Sequence, residues 1–552
     1  MRKRFKKLAF TFVAASAALA VSLGAIWLYK SSKSDEDDST MQTKASKPRV
    51  SVHDPSIVKD GNNYYVFGSH IEAAKSTDLK GWTTFTNGYN TPGNKIFGDL
   101  SENLKGSFAW AGEDDGDNLN GYAVWAPFVF FNADYVNIDG SKGAYMNYYC
   151  TSSTYKRSAI GYAVAKNIDG PYTYVDTIVY SGFTEKDSYD TKSGIDNYSK
   201  INTKYSNTNI QKLIEDGILS GVNPNWFTAA GEYNTSYAPN AIDPALFYDK
   251  GGKLWMTYGS WSGGIYMLEI DKGTGKAIYP GKDETTAGSN PVDRYFGIKL
   301  AGGYGKSGEG PFIVYDMEEG YYYLYVTYGG LAADGGYNMR LFRSKNPEGP
   351  YVDAKGNNAI LPDNNTQNVT IGIKLMGNYK FSSFALGYKS PGHNSAFIDS
   401  DGQRYIVYHT RFNQGSEYHE VRVHQMFINE DGWPVVVPYE NNGDKISKEG
   451  YSPKEIVGSY ELINHGINYS NSMQKTLKVN LNKDNTITGD ITGTWSMTKG
   501  TYYMNMIIGE ITYKGVFFKQ NDESKYDSKV MTFTAVGSNN QCIWGSKIKI
   551  EK

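Results

Sequence analysis

APNAIDPALFYDKGGKLWMTYG, residues Ala238 to Gly259, decides the fold. It has a carboxylate and a proline at its head, then the apolar run Ala245, Leu246 and Phe247, the glycine turn Gly251–Gly252, and an aromatic-rich strand from Leu254 to Tyr258. Strand, glycine turn and strand make an antiparallel hairpin. The same grammar recurs four times: DPSIVKDGNNYYVFGS from Asp54, APFVFF with MNYYCTSS after it from Ala126, GPFIVYDMEEGYYYLYVTYG from Gly310, and NSAFIDSDGQRYIVYHT from Asn394.

Five copies, each spanning more than the roughly 40 residues of a WD-type unit, predict an all-β, five-bladed β-propeller. The first strand of each blade lies nearest the axis, so the heads of the copies should converge at one mouth of the central channel. Those heads are His53 with Asp54, Trp125, Asp243, Glu309 and His393. Three acids brought together partly out of water repel and shift one another's pKa, so such a cluster points to chemistry.

Outside the repeats, Met1 to Lys7 is strongly basic and leads into an apolar run from Leu8 to Tyr29, the pattern of an export signal. AASAALA within it offers a cleavage site, and the run is also long enough to serve as an uncleaved anchor. Residues 1–29 are therefore assigned as signal peptide or anchor, and residues 30–48 as a flexible linker, because Ser, Asp, Lys and Thr cannot bury enough surface to fold. The net charge of −2 leaves no nucleic-acid footprint. No protein partner is evident, and the chain is expected to act as a monomer. Only Cys150 and Cys542 are present, in different expected domains, which excludes a disulfide scaffold. An aromatic content of 14%, with 46 Tyr and 60 Gly, suits a β protein with many turns.

Thr184 to Tyr237 is rich in Asn, Ser, Thr, Lys and Asp and reads as an insertion with one helical piece, Ile210 to Ile218. It is either a rim of the active-site mouth or a surface loop. From Ile456 to Lys552, alternating segments such as LKVNLNKDNTITGDITGTWSM predict a small C-terminal β-barrel or sandwich. The expected boundaries place the catalytic propeller at 49–447 and this domain at 448–552. It supports the propeller or binds polysaccharide.

VHDPSIV, WAP, NAIDPALFYD, YGSWSGGI, GEGPFIVY and PGHNSAF, in that order and spacing, resemble glycoside hydrolase family 43, and within it the extracellular endo-1,5-α-L-arabinanases. The likeness covers roughly Arg49 to Pro438. It implies an inverting glycosidase in which Asp54 matches the general base, Glu309 the general acid, and Asp243 the carboxylate that orients the acid and tunes its pKa. Substrate contacts carry over to Asn240, Ala241 and Ile242 beside Asp243, to Ser260, Trp261 and Ser262, and more weakly to Gly161. Trp125 and Trp110 are further stacking candidates. His393 matches a family histidine facing a metal, usually calcium, a single ion held largely by water because calcium prefers oxygen ligands. His53 is expected to support the site from behind. Two other readings are an exo-acting α-L-arabinofuranosidase or β-xylosidase with the same acids, and a non-catalytic sugar-binding surface propeller.

Overall fold

The computed structural model describes residues 47–90, 92–112, 123–152, 157–189, 201–525 and 528–548. The leader and most of the linker, residues 1–46, lie outside them, as do residues 190–200 of the expected insertion.

The quoted stretch forms its hairpin as expected. Ala245–Tyr248 pairs with Leu254–Tyr258 in antiparallel register, and the Asp249 carboxylate closes the turn by accepting from the backbone N–H groups of Gly251 and Lys253. Five open antiparallel sheets follow one another along the described chain. Sheet I spans residues 56–84, sheet II 124–180, sheet III 245–301, sheet IV 309–376 and sheet V 388–436. Four are simple four-stranded meanders, whereas sheet III has seven strands, because short strands at 277–293 extend its outer edge.

The arrangement is propeller-like. The first strands touch in sequence: Ser56–Asp60 meets Val124–Val136, which meets Ala245–Tyr248, then Glu309–Asp316, then Tyr388–Ile398, which returns to Ser56–Asp60. At that return Ser395 Oγ donates to Pro55 O at 2.6 Å and accepts from Ile57 N at 3.1 Å. Between neighbouring sheets lie apolar and aromatic layers, such as Phe247, Leu324 and Tyr322 between III and IV.

Residues 201–237 do more than decorate the surface. Ile210–Glu215 is helical, and Trp226 and Tyr233 are buried against Phe296 of sheet III, so this segment is part of the core. Eight strands from Gly458–Asn464 to Cys542–Lys547 then close a barrel around Tyr460, Leu481, Trp495, Phe517 and Phe533. Its outer wall is also apolar: Phe518 packs on Phe427 and Trp544 on Tyr379, with ring centroids 4.9 and 5.0 Å apart. Cys150 and Cys542 are both buried and free.

Candidate active site

Just before or within each first strand lies a residue held at positive φ: Asp54 (53°), Ala126 (39°), Asp243 (60°), Gly310 (57°) and His393 (46°). A proline follows the first four, removing the right-handed helical alternative, and the left-handed conformation costs an L-residue about 1–2 kcal/mol. Strain repeated at equivalent positions needs fixing by neighbours. It is fixed by side chains from adjoining sheets. Asp54 N donates to His409 Nδ1 (3.1 Å), Ala126 N to Ser69 Oγ (2.9 Å), Gly310 N to Asp243 Oδ2 (3.1 Å) and His393 N to Thr327 Oγ1 (2.9 Å).

This register corrects two of the expected heads. The repeated positions in sheets II and IV are Ala126 and Gly310, one residue beyond Trp125 and Glu309. The difference matters at Gly310, where a Cβ would lie 2.9 Å from two ring atoms of His393. One position earlier, Glu309 escapes this crowding and meets the loops around the mouth. Tyr337 OH donates to its Oε1 at 2.5 Å, while Ser260 Oγ and Trp261 Nε1 donate to its Oε2 at 3.1 and 2.8 Å.

Asp54 sits deeper, with His53 Nδ1 and Ser69 Oγ at 2.8 and 2.5 Å from its Oδ2 and His393 Nδ1 at 3.0 Å from its Oδ1. Burial by itself would raise this carboxyl, but His393 and His53 outweigh it and hold Asp54 well below the ordinary range. Burial pushes Asp243 the other way, up to about 7, with the charges of Glu309 and Asp54 adding to the rise against His393. Burial would lower His393, yet Asp54 and Asp243 raise it to about 9. The site therefore sets one carboxyl group below its ordinary range and another above it, with an imidazole drawn toward its charged form beside them.

Asn240 and Ala241 are fixed by Ser181, whose Oγ donates to Asn240 Oδ1 and accepts from Ala241 N. Ile242 leads directly into Asp243, and its carbonyl accepts from Gly259 N. Ser262 turns the chain after Trp261, which is 41% exposed with its indole N–H on Glu309. Trp110 does not qualify: it is 2% exposed and donates to Ser181 O within the core. Trp125 is partly buried against the same core. Gly161 lies mid-strand, where a Cβ would meet Ser107 Oγ and Tyr149 OH rather than any of the acids.

Sequence reasoning missed Ser69, Tyr337, His409 and Arg411. Ser69 had a signal: FGS at 67–69 and YGS at 258–260 both end second strands, and both serines bind an acid. Tyr337 and Arg411 had none, since their partners are remote in sequence.

Two places could attract a cation. Among the described residues, ligand atoms of His53, Asp54 and His409 fall within 4.8 Å of one another. Arg411, however, places its guanidinium nitrogens 3.3 Å from His409 Nε2 and His53 Nε2, which disfavours a metal there. The second is a cavity beneath the acids, lined by Asp54, Ser56, Asp243, His393 and Asn394. Ser56 Oγ and both polar side-chain atoms of Asn394 are buried there without a partner. Uncharged oxygens beside one imidazole suit a hard cation that keeps most of its water.

Residues 222–434 match the model of glycosyl hydrolases family 43, and residues 438–545 that of the C-terminal lipocalin-like domain associated with it. The chain is 38% identical to extracellular endo-α-(1→5)-L-arabinanase 2 of Bacillus subtilis (strain 168), over 91% of this chain and 95% of that protein. The crystal structure of endo-1,5-α-L-arabinanase from Thermotoga petrophila RKU-1 superposes with a TM-score of 0.73 at 35% identity, covering 92% of this chain and all of that one. The family 43 YxiA protein of Bacillus licheniformis gives a TM-score of 0.74 at 37% identity over the same share of each.

Proposed function

The chain belongs to glycosyl hydrolases family 43, and from that premise we propose that it cleaves internal α-1,5-L-arabinofuranosidic bonds of arabinan with inversion, releasing arabino-oligosaccharides. The observation that carries the chemistry is the gathering of three carboxyl groups around one channel mouth, Asp54 deep between two histidines and Glu309 among the side chains of the rim. Inverting hydrolysis needs a carboxylate that stays ionised to activate water and a separate acid that protonates the leaving oxygen. Asp54, held ionised by His53 and His393, is the base. Glu309, at the open mouth beside Trp261, is the acid. Asp243 anchors the peptide next to Glu309 through Gly310 N and so orients it. Trp261, exposed at the mouth, stacks on a furanose ring, and Ser262 beside it meets the sugar, while Asn240, Ala241, Ile242 and Ser260 back that wall from the buried side.

We read the five sheets as five blades, supported by the closed order of first-strand contacts, with the catalytic domain at 49–447 and the barrel domain at 448–552. A calcium ion would suit the cavity beneath the acids, held through His393 in its neutral form and otherwise by water; it would supply there a fixed positive charge in place of the imidazole's proton. Export of the chain follows from its basic and apolar N-terminus and from relatives named extracellular. Among the described residues no helix is long and apolar enough to cross a membrane.

Digestion of linear and branched arabinan and of xylan, with viscosity and product size followed together, tests the activity. A rapid fall in viscosity on linear arabinan with release of short oligosaccharides is expected. Release of monosaccharide alone, or preference for xylan, would remove the endo-arabinanase reading.

A further inference from the structure

The connection between the first two barrel strands, residues 465–476, lies against both segments that hold Glu309. One line runs through Tyr469, whose hydroxyl donates to Asn368 Oδ1. Asn368, 2% exposed, passes the contact on by donating from Nδ2 to Ser307 O at 2.5 Å, two residues before Glu309. A second line runs from Ile467 O, which accepts from the fully buried guanidinium of Arg340. Arg340 Nε donates to Asn338 Oδ1 (2.7 Å), and Asn338 Nδ2 donates to Gly336 O (2.8 Å), next to the Tyr337 whose hydroxyl holds Glu309.

Other contacts pin the connection. Lys374, also buried, donates to Asn468 O at 2.7 Å, Asn378 Nδ2 donates to Ser470 O at 3.2 Å, and Gln474 N returns a bond to Asn378 O at 3.0 Å. Backbone approaches backbone as well, since a Cβ on Gly336 would stand 3.1 Å from Ser470 N. Buried donors left without acceptors are costly, so the bonds from Arg340 and Lys374 to Ile467 O and Asn468 O tie this connection to sheet IV.

We infer that the barrel domain positions the acid: its 465–476 connection fixes Glu309 through Asn368–Ser307 and Asn338–Tyr337, with Tyr469 as an outlying positioning residue. The inference rests on the reading of Glu309 as the general acid. A displacement of about 1 Å at a reacting group can cost on the order of 100-fold in rate, so a remote hydroxyl that sets the Ser307 peptide can matter to catalysis. A barrel that merely stabilised the fold would act on every substrate alike.

Tyr469→Phe removes only the hydroxyl and keeps the ring, which packs edge-on to Tyr328 at 6.2 Å. Its kcat is measured on linear arabinan and on an aryl arabinofuranoside whose phenol is acidic enough to leave without a proton. Asn368→Leu and Glu309→Gln are measured beside it, with a thermal melt for each. The expected result is a kcat on arabinan lowered about 3- to 30-fold for Tyr469→Phe and Asn368→Leu, with the aryl substrate within about twofold and KM unchanged. If Glu309→Gln shows this split while the other two variants lose both substrates together or neither, the inference is overturned and the acid assignment stands. If Glu309→Gln shows no split, the acid assignment itself fails and the inference falls with it.

Discussion

Gly310→Ala probes how closely the channel is packed. A Cβ there would lie 2.9 Å from His393 Cγ and Cδ2 and 3.1 Å from Nε2, whereas unstrained carbon contacts are about 3.5–4.0 Å. The imidazole must therefore retreat by roughly 0.6–1 Å. It cannot do so freely, because His393 N is tied to Thr327 and its Nδ1 lies 3.0 Å from Asp54. Left-handed alanine costs about 1–2 kcal/mol and overpacking about 1–3, which together predict a loss of about 2–5 kcal/mol. The ion pair that holds Asp54 lengthens as well, so kcat should fall on the order of 100-fold. Gly252→Ala is the control: its φ is +80° and nothing lies within 4 Å of its Cβ, so it carries backbone strain alone. It should lose only about 1–2 kcal/mol and leave kcat unchanged. Urea unfolding and initial rates on arabinan decide. A Gly310→Ala protein no less stable than Gly252→Ala, with full kcat, would refute the argument that the His393 contact fixes the base.

Other outcomes follow from the same geometry. Asp54→Asn should depress arabinan and activated aryl substrates alike, by roughly 10² to 10⁴, because water activation serves both; kinetics on the two substrates measure this. His393→Ala should lower both activity and melting temperature, and a chelator should do the same to the native enzyme with calcium restoring it; indifference to the chelator would leave His393 as the cavity's only cation. Glu523 reaches from the barrel to accept from Tyr388 OH (2.6 Å) and Glu440 N (2.7 Å), and burial, with the Glu440 charge adding, raises it to about 7. The folded protein then binds a proton that the unfolded chain has released, so this contribution is fully present below about pH 4 and is lost as pH rises through about 7. Glu523→Gln should remove that dependence, gaining up to about 3 kcal/mol over the native protein at pH 8 and nothing at pH 4.5, as read from urea unfolding across pH.

Much of this was legible because it is local. The DP and GP heads, the glycine turns and the alternating strands are short-range patterns, and each of the five copies folded into the hairpin its residues dictate. The helix expected at Ile210 to Ile218 forms at Ile210–Glu215, but polar composition hid the burial of Trp226 and Tyr233, which depends on Phe296 some sixty residues later. Trp110 read as a stacking candidate because a tryptophan carries no mark of which side of a sheet will cover it.

By itself, then, the sequence determined a repeated β architecture and the barrel that follows it, since each rests on residue types at fixed local spacing, and it marked three acids as candidates. Tertiary structure alone decided how the acids differ. Asp54 and Asp243 occupy equivalent strained positions ahead of proline and burial raises both, yet Asp54 is held low and Asp243 rises to about 7. His393 and His53 hydrogen-bond to the first, whereas the second feels the charge of His393 without such bonds and the opposing charges of Glu309 and Asp54. It also decided that Glu309 stands one residue outside the repeat, where Tyr337, Ser260 and Trp261 can grasp it, and that a barrel loop more than 100 residues downstream backs that grip. Those contacts join segments brought together only when the sheets close around the channel, and electrostatics at 3 Å depends on that closure rather than on spacing along the chain.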